Sequence, residues 1–392
     1  MKTFLLSALL MGASLNAFTL EEVIQSSLSK NPSLDVIEAR LEANKQSIDI
    51  ANQFTNPEMS LTSNTIDSSQ AMSQTVVTIK QKIQYYNKRD SKQEVSLANE
   101  ELLKEQLNSA KVALVGEIKQ EAYTLWELRE QKRIINEYIK LTQKNIELFE
   151  AYTSVSSNQH MGIMKAELSL ADLSIENSTL DAKIYAAYSR LSYLAATDIN
   201  NLEIRLTLRN EPDLEILKQT ILHNPSIAMK EKEIKKQDAN IVITDVNNYP
   251  DFNLIAGYAY RENFDNYFNF GLSLALPIYG TEDALEEEAK ALKIALVSQK
   301  SDLEISIDSQ LKVYYAQMLS AYQTYHIIQD DALPQVAHMF DLSSSSIATG
   351  GDLFKYIDVL FDKLKLEQKS ITAVALYNKN RAKISELAGE IK

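Results

Sequence analysis

The sequence predicts a mostly α-helical fold with a smaller β part, arranged as two similar halves. Three observations lead to this prediction. The stretch between Pro57 and Pro212 lacks proline and carries apolar residues at the spacing of a helix. Four segments, two in each half, alternate apolar and polar side chains as strands do. The tripeptide Asn-Pro-Ser occurs at residues 31–33 and again at residues 224–226.

The first segment, residues 1–17, has the pattern of a secretory signal peptide. Lys2 precedes an apolar run from Phe4 to Met11, and small residues follow up to Ala17, the expected cleavage point. The chain has no cysteine, which fits an exported protein and excludes disulfides, thiolate metal sites and a lipid anchor on cysteine. We therefore expect an exported mature chain that begins near residue 18.

Composition also narrows the function. The formal net charge is −13, which argues against a nucleic-acid partner. The four histidines lie in separate segments without an i, i+4 pair, so no metal site is predicted. No acid, base and nucleophile come together in the pattern, so we expect neither an enzyme nor a cofactor. The histidines are His160, His223, His326 and His338.

The two Asn-Pro-Ser copies lie 193 residues apart and have the features of helix starts. Asn is a favourable N-cap, and proline is tolerated at the first helical position. Two capped helices alone could produce this coincidence, but the same shift also carries Pro57 onto Pro250 and Leu61 onto Leu254. We therefore predict an internal two-fold repeat, with the first structural repeat at residues 18–211 and the second at residues 212–392.

Each repeat carries a pair of long antiparallel helices, predicted at residues 88–196 and 282–387. Polar stretches break the pairs at Ser154–Gly162 and Ser343–Asp352, and Pro334 is expected to kink the second pair. A helix of roughly 65 to 70 residues is about 100 Å long, which is too long for a compact globule. Such amphipathic helices need a partner surface, which copies of the same chain would supply.

A hairpin precedes each helix pair, predicted at residues 57–84 and 250–277. The second hairpin places large apolar side chains on one face of each strand and small or polar ones on the other. The first hairpin is a weaker version, in which Lys80 and Lys82 alternate with the apolar face. Both lysines are candidates for the lumen of a barrel, or else for the solvated edge of a soluble sheet.

Strands of about ten residues with one apolar face are typical of a transmembrane β-barrel. Two soluble hairpins covered by helices are the alternative. Four strands cannot close a barrel, and an open sheet edge is not tolerated in lipid, so copies of the chain would have to complete it. A dimer gives eight strands and a filled interior, whereas a trimer gives twelve strands and room for a water-filled pore.

The order of these elements resembles the TolC family of outer-membrane efflux channels over essentially the whole mature chain. Four stretches carry the resemblance most clearly. They are NPSLDVIEARLEA (31–43), LALPIYG (274–280), LPQVAHMFDLSSSSIATGG (333–351) and ISELAG (384–389). Many relatives have a lipidated N-terminal cysteine, which this sequence lacks, so that anchoring would rest on the barrel alone.

The resemblance implies a homotrimer in the outer membrane of a Gram-negative bacterium. Four strands from each chain would form a 12-stranded β-barrel in outer-membrane lipid, and the long helices would continue it into the periplasm as a trimeric α-barrel. A periplasmic adaptor protein and an inner-membrane pump are the implied partners. The predicted function is a passive exit duct of a tripartite efflux or type I secretion system, gated at its periplasmic helical tip. The alternative is a secreted periplasmic coiled-coil scaffold or adaptor protein with water-soluble hairpins.

The resemblance also implies gate residues at one helix tip. Gly350–Asp358 resembles the start of the family's returning helix, where an aromatic-aliphatic-Asp triplet lies near the periplasmic constriction. Here that triplet is Tyr356, Ile357 and Asp358. A ring of three inward carboxylates would favour cations and narrow the closed aperture. The gate candidates are Asp358 and Asp352; a solvated Asp in the first turn of a helix is the alternative, above all for Asp352.

A second set of tip residues is assigned to adaptor docking. Met161, Gly162 and Ile163 resemble the family's apolar-Gly-apolar motif, where adaptor helices bind. Gly350 and Gly351 mark the other tip. An ordinary glycine at a turn between two helices is the alternative for Gly162.

Overall fold

The structure, a computed structural model, describes residues 18–64, 70, 72–152, 157–210, 213–221, 224–347 and 353–391. The expected signal peptide and the site candidates Gly350, Gly351 and Asp352 lie outside the described residues. The described chain is mostly helical, as the sequence predicts, and it forms two compact units. No helix in this part of the chain combines the length and the apolar character needed to cross a membrane.

The first half of the chain contains two shorter helices, a hairpin and two long helices. Its elements are β1 (Phe18–Thr19), α1 (Leu20–Lys30), α2 (Pro32–Ala51), β2 (Glu58–Ser63), β3 (Gln74–Ile83), α3 (Tyr86–Tyr152) and α4 (Ser157–Ala195).

The second half has the same order of elements with one interruption. Its elements are β4 (Leu202–Glu203), α5 (Leu214–Thr220), α6 (Pro225–Val246), β5 (Phe252–Arg261), β6 (Tyr267–Leu274), α7 (Thr281–His326), α8 (Leu333–Ile347) and α9 (Leu353–Leu387). A π-helical segment, Ile327–Ala332, separates α7 from α8.

The two returning helices, α4 and α9, end in the same kind of turn. In each, a main-chain N–H donates to the carbonyl five residues earlier, at 3.2 Å from Thr197 and 3.0 Å from Glu390. The residue before each donor has a positive φ, 47° for Ala196 and 78° for Gly389. Glycine adopts this left-handed conformation without steric cost, whereas alanine does not. The same turn is therefore made from a favourable residue at one helix end and from an unfavourable one at the other.

One compact unit comprises Met1–Pro32, Lys111–Leu222 and Ser309–Lys392. Its larger core brings together α3, α4 and α9, with Ile135 and Ile357 fully buried and Leu173 almost so. A smaller core joins α7 to α9 around Leu311 and Tyr377. Apolar burial along these helix faces, spaced as the sequence pattern predicts, is what stabilises the long helices.

The other compact unit comprises Ser33–Ala110 and His223–Asp308, and it contains the sheet. The four strands lie in the order β2-β3-β5-β6, and every neighbouring pair is antiparallel. The two hairpins are joined through β3 and β5, which pair over ten residues from Gln74 opposite Arg261 to Ile83 opposite Phe252. Among the described residues, β2 and β6 have no further strand beside them and form the two edges.

The two Asn side chains of the Asn-Pro-Ser copies both make hydrogen bonds at helix starts. Asn224 caps α6 as predicted, since its side-chain oxygen accepts from the N–H groups of Ser226 and Ile227 at 2.8 and 3.2 Å. The Asn31 amide donates to the carbonyl of Leu194 at 2.8 Å, so that it ties the end of α1 to the end of α4.

Two helix bounds differ from the sequence-based prediction. The π-helical segment interrupts the second long helix before Pro334. At its end the N–H of Leu333 donates to the carbonyl of Ile328, and this wider turn accommodates the missing N–H of proline. In the first half, α4 already begins at Ser157. Gly162 therefore lies within a helix, and the alternative of a glycine in an interhelical turn is wrong.

Candidate functional sites

The sheet has one apolar and one polar face. Because paired residues of antiparallel strands point to the same side, the register places the large apolar side chains of all four strands together. These side chains are exposed in the single chain, up to 83% for Phe270. The apolar face consists of Met59, Leu61, Val77, Ile79, Ile83, Phe252, Leu254, Tyr258, Phe268, Phe270, Leu272 and Leu274.

The polar face carries the two predicted lumen lysines. Lys80 is paired across the strands with Glu58, and its ammonium lies 3.6 Å from that carboxylate. Lys82 lies opposite Asn253, and its ammonium is 3.1 Å from the carboxylate of Asp251. Both lysines thus lie on the face opposite the apolar side chains, which is the placement that the alternating pattern predicts.

Asp251 holds the start of β5 to the start of α3. Its carboxylate accepts from the Tyr85 main-chain N–H at 3.1 Å, from the buried Lys88 ammonium at 3.0 Å, and from Lys82. Partial burial raises the pKa of Asp251, but the hydrogen bonds from Lys88, Tyr85 and Lys82 outweigh it, so that the pKa lies below its usual range. A charged Asp at this position stabilises the junction between sheet and helix.

The importance of Asp251 is not evident from the sequence. Its only sequence signal is its place between Pro250 and the alternating segment that starts at Phe252. The partner lysines lie on a strand and a helix of the other half of the chain, and only the β3·β5 register brings them together.

At the helix tip, Asp358 forms an ion pair with Lys165 of α4. The Lys165 ammonium also lies over the ring of Phe354, 3.5 Å from the ring centre. Asp358 is still 54% exposed at its side chain, so that it remains accessible to solvent. The sequence singled out Asp358 but missed Lys165, because nothing along the chain links two residues on different helices.

Gly162 lies where α4 passes close to the start of α9. A Cβ at this position would lie 3.0 Å from the Leu353 Cβ and 3.1 Å from two further Leu353 carbons. Of its predicted companions, Met161 is 59% exposed, whereas Ile163 packs against the buried core of this unit. The three residues therefore divide into a surface residue, a contact glycine and a core residue.

Two helices expose apolar side chains that their own unit does not cover. On α4 the spacing of three, four and seven residues aligns a row along one helix face. That row is Met161, Met164, Leu168 and Ile175, each more than half exposed. On α7 the exposed apolar side chains are distributed over more than one helix face, and they are Leu285, Leu292, Ile294, Val297 and Ile305. A row such as that on α4 is typical of a surface that packs against another helix.

No group of three or more His, Cys, Asp or Glu residues placed to hold a metal ion occurs in the described ranges.

Residues 23–197 match the family described as outer membrane efflux protein. A comparison with curated proteins finds no match. The fold is similar to solved outer-membrane proteins at low sequence identity, and three of them illustrate it. The Campylobacter jejuni CmeC outer membrane channel has a TM-score of 0.77 and 12% identity, over 94% of this chain and 85% of that chain.

The other two are similar to the same degree. The open state of the Neisseria gonorrhoeae MtrE outer membrane channel has a TM-score of 0.77 and 15% identity, over 94% of this chain and 88% of that chain. The outer membrane protein VceC from Vibrio cholerae has a TM-score of 0.76 and 14% identity, over 94% of this chain and 96% of that chain. At these identities the likeness concerns the fold.

Residues 23–197 thus match the outer membrane efflux protein family, and the fold of the chain is similar to that of solved outer membrane channels. This family match agrees with the resemblance of the sequence to the TolC family.

Proposed function

We propose that three copies of the chain form an exit duct, with a 12-stranded β-barrel in the outer membrane and a helical barrel in the periplasm. The observation that carries this proposal is the sheet, whose exposed apolar face and two unpaired edges lie in one unit. An apolar face of this size is unfavourable in water, and open edges are not tolerated in lipid. If further copies of the chain close the sheet into a barrel, the apolar face lies against lipid and both strand edges are paired.

The polar face then lines the pore. Lys80, Lys82 and Glu58 lie on this face, opposite the aromatic side chains. Three copies supply twelve strands, which leave room for a water-filled interior. Lys80 and Lys82 are proposed as lumen residues on this basis.

The exposed apolar row of α4 and the exposed apolar side chains of α7 support the helical part of the duct. These surfaces need a partner, and a second copy of the chain can provide one in a closed ring. The common order of elements supports an internal repeat, with residues 18–211 and 212–392 as its two copies. A trimer would then present six similar units around one pore.

The remaining assignments concern the ends of the helices. We infer that Asp358 narrows the periplasmic aperture and that its pair with Lys165 favours the closed form. Asp352 is proposed as a second gate residue. Met161, Gly162 and Ile163, with Gly350 and Gly351, are proposed to bind a periplasmic adaptor, which couples the duct to an inner-membrane pump of an efflux or type I secretion system.

The test uses the purified protein in detergent. We expect light scattering to give the mass of a trimer and planar bilayers to show a raised ion conductance. Phe270→Asp puts a charge on the apolar face, which is unfavourable near the middle of a bilayer, and should abolish the conductance. Asn269→Asp, one residue away on the polar face, is the matched control and should retain it.

Two results would contradict the proposed duct. One is a monomer that stays in solution without detergent. The other is a conductance that responds equally to the Phe270 and Asn269 substitutions.

A further inference from the structure

The pairing of β3 with β5, here called the internal seam, joins the two hairpins of one chain. At its helix-side end the Asp251 carboxylate accepts hydrogen bonds from two ammonium groups and one main-chain N–H. Bonds between charged partners are shorter and stronger than neutral ones. Because Lys88 and Asp251 are also largely shielded from solvent, salt screens this contact less than an exposed pair. The internal seam is therefore held by charge as well as by main-chain hydrogen bonds.

The correspondence between the halves predicts how a neighbouring copy would meet the free edges. β6 corresponds to β3, and β2 corresponds to β5, at the spacing of the two Asn-Pro-Ser copies. The register of the internal seam, carried over to these strands, sets Ser273 of one copy opposite Thr62 of the next. It likewise sets Leu274 opposite Leu61.

This register is consistent with the faces of the sheet. Leu274 and Leu61 both lie on the apolar face, and Ser273 and Thr62 both lie on the polar face. A shift of one residue would place apolar beside polar side chains along the whole contact. We call this contact between β6 of one chain and β2 of the next the subunit seam.

The charges of the internal seam are missing from the corresponding positions of the subunit seam. Glu58 takes the place of Asp251, but Ala275 takes the place of Lys82 and Thr281 the place of Lys88. Neither residue supplies a cation. The Glu58 carboxylate has a neighbour in its own chain, the Lys80 ammonium at 3.6 Å.

We propose that the subunit seam is weaker than the internal seam and separates first when the barrel dissociates. It is held by main-chain hydrogen bonds and apolar contacts, without an ion pair. This inference rests on the proposed trimeric duct. The four-stranded sheet of one chain is then a preformed part of the barrel. The stability of the trimer against dissociation depends on the uncharged subunit seam.

The register can be tested directly, because the chain has no cysteine of its own. Oxidation of the double variant Thr62→Cys, Ser273→Cys should link neighbouring chains covalently. The two positions lie on opposite edges of one sheet, about 14 Å apart at the spacing of strands, so a bond within one chain is excluded. Thr62→Cys with Leu272→Cys places the thiols on opposite faces and should not cross-link.

The effect of the missing ion pair on the subunit seam can be tested by introducing a lysine. Ala275→Lys should raise the temperature at which the trimer separates into monomers by several degrees, because it restores the counterpart of Lys82 next to Glu58. Ala275→Glu should lower that temperature. In the Glu58→Gln background the gain from Ala275→Lys should disappear.

The outcomes separate this inference from the function on which it rests. A conducting trimer that fails to cross-link at Thr62 and Ser273 overturns the register. A conducting trimer whose gain from Ala275→Lys is absent, or persists with Glu58→Gln, overturns the unequal seams. A wild-type chain that forms no trimer overturns the proposed duct itself.

Discussion

At the scale of single residues, two glycines show that distance alone does not decide the effect of an added methyl group. At Gly162 the Cβ would meet the Leu353 Cβ at 3.0 Å, and that atom is fixed to the main chain of α9. At Gly116 it would meet the Glu386 carboxylate oxygen at 2.5 Å, which is closer. Glu386 can swing its long side chain away, whereas Leu353 cannot move without its helix.

We predict that Gly162→Ala destabilises the protein by about 1–3 kcal/mol, because the close helix contact becomes overpacked. Gly116→Ala, the matched control, should leave stability unchanged or raise it, since alanine favours a helix by about 1 kcal/mol over glycine. Chemical unfolding in detergent, followed by circular dichroism, measures both variants. A larger loss for Gly116→Ala than for Gly162→Ala would contradict this reasoning.

At the scale of elements, the strand-to-helix junction depends on one carboxylate. The pKa of Asp251 is lowered because Lys88, Tyr85 and Lys82 donate to its charged form. A lowered pKa in the folded state means that the stabilisation is complete above the unfolded-state pKa of about 3.9, and is lost as the pH falls through the folded-state pKa. The β3–α3 corner should therefore weaken in acid.

We predict that Asp251→Asn lowers the thermal midpoint at pH 7 and flattens its decline between about pH 5 and pH 3, where the unfolded wild-type chain takes up a proton at Asp251 that the folded chain binds less readily. Thermal scans over this pH range give the result. Glu58→Gln is the control, because that carboxylate is exposed and its lysine is 3.6 Å away. An Asp251→Asn variant with the wild-type pH profile would show that the carboxylate does not stabilise the junction.

At the scale of the whole molecule, the tip pair links two helices that are far apart in sequence. Lys165 lies on α4 and Asp358 on α9, and their ion pair holds the two helices together. An exposed pair contributes at most about 1 kcal/mol, which corresponds to about a fivefold change in an equilibrium between closed and open forms.

We therefore predict that Lys165→Met and Asp358→Asn each raise the resting conductance in planar bilayers by up to about fivefold. Asp358→Asn should also reduce the preference for cations, because it removes a carboxylate from the proposed aperture. Asp362→Asn, one turn further along α9, is the control, since its nearest ammonium, that of Lys365, is 3.9 Å away. Equal effects of all three substitutions would remove the pair from the gate.

Much of the fold follows from local pattern. Helical spacing without proline predicts α3, and strict alternation predicts β5 and β6, because these signals depend only on neighbours along the chain. The π-helical segment before Pro334 was not predicted beyond a kink, since a proline can bend a helix in several ways and packing selects one.

The sequence by itself determined the class of fold and the polar placement of Lys80 and Lys82, because periodicity fixes which face a residue shares. Only the tertiary structure decided which residues are in contact: Asp251 with Lys88, Lys165 with Asp358, and Gly162 with Leu353. These contacts join segments far apart along the chain, and their geometry depends on strand register and helix packing, which no local pattern records.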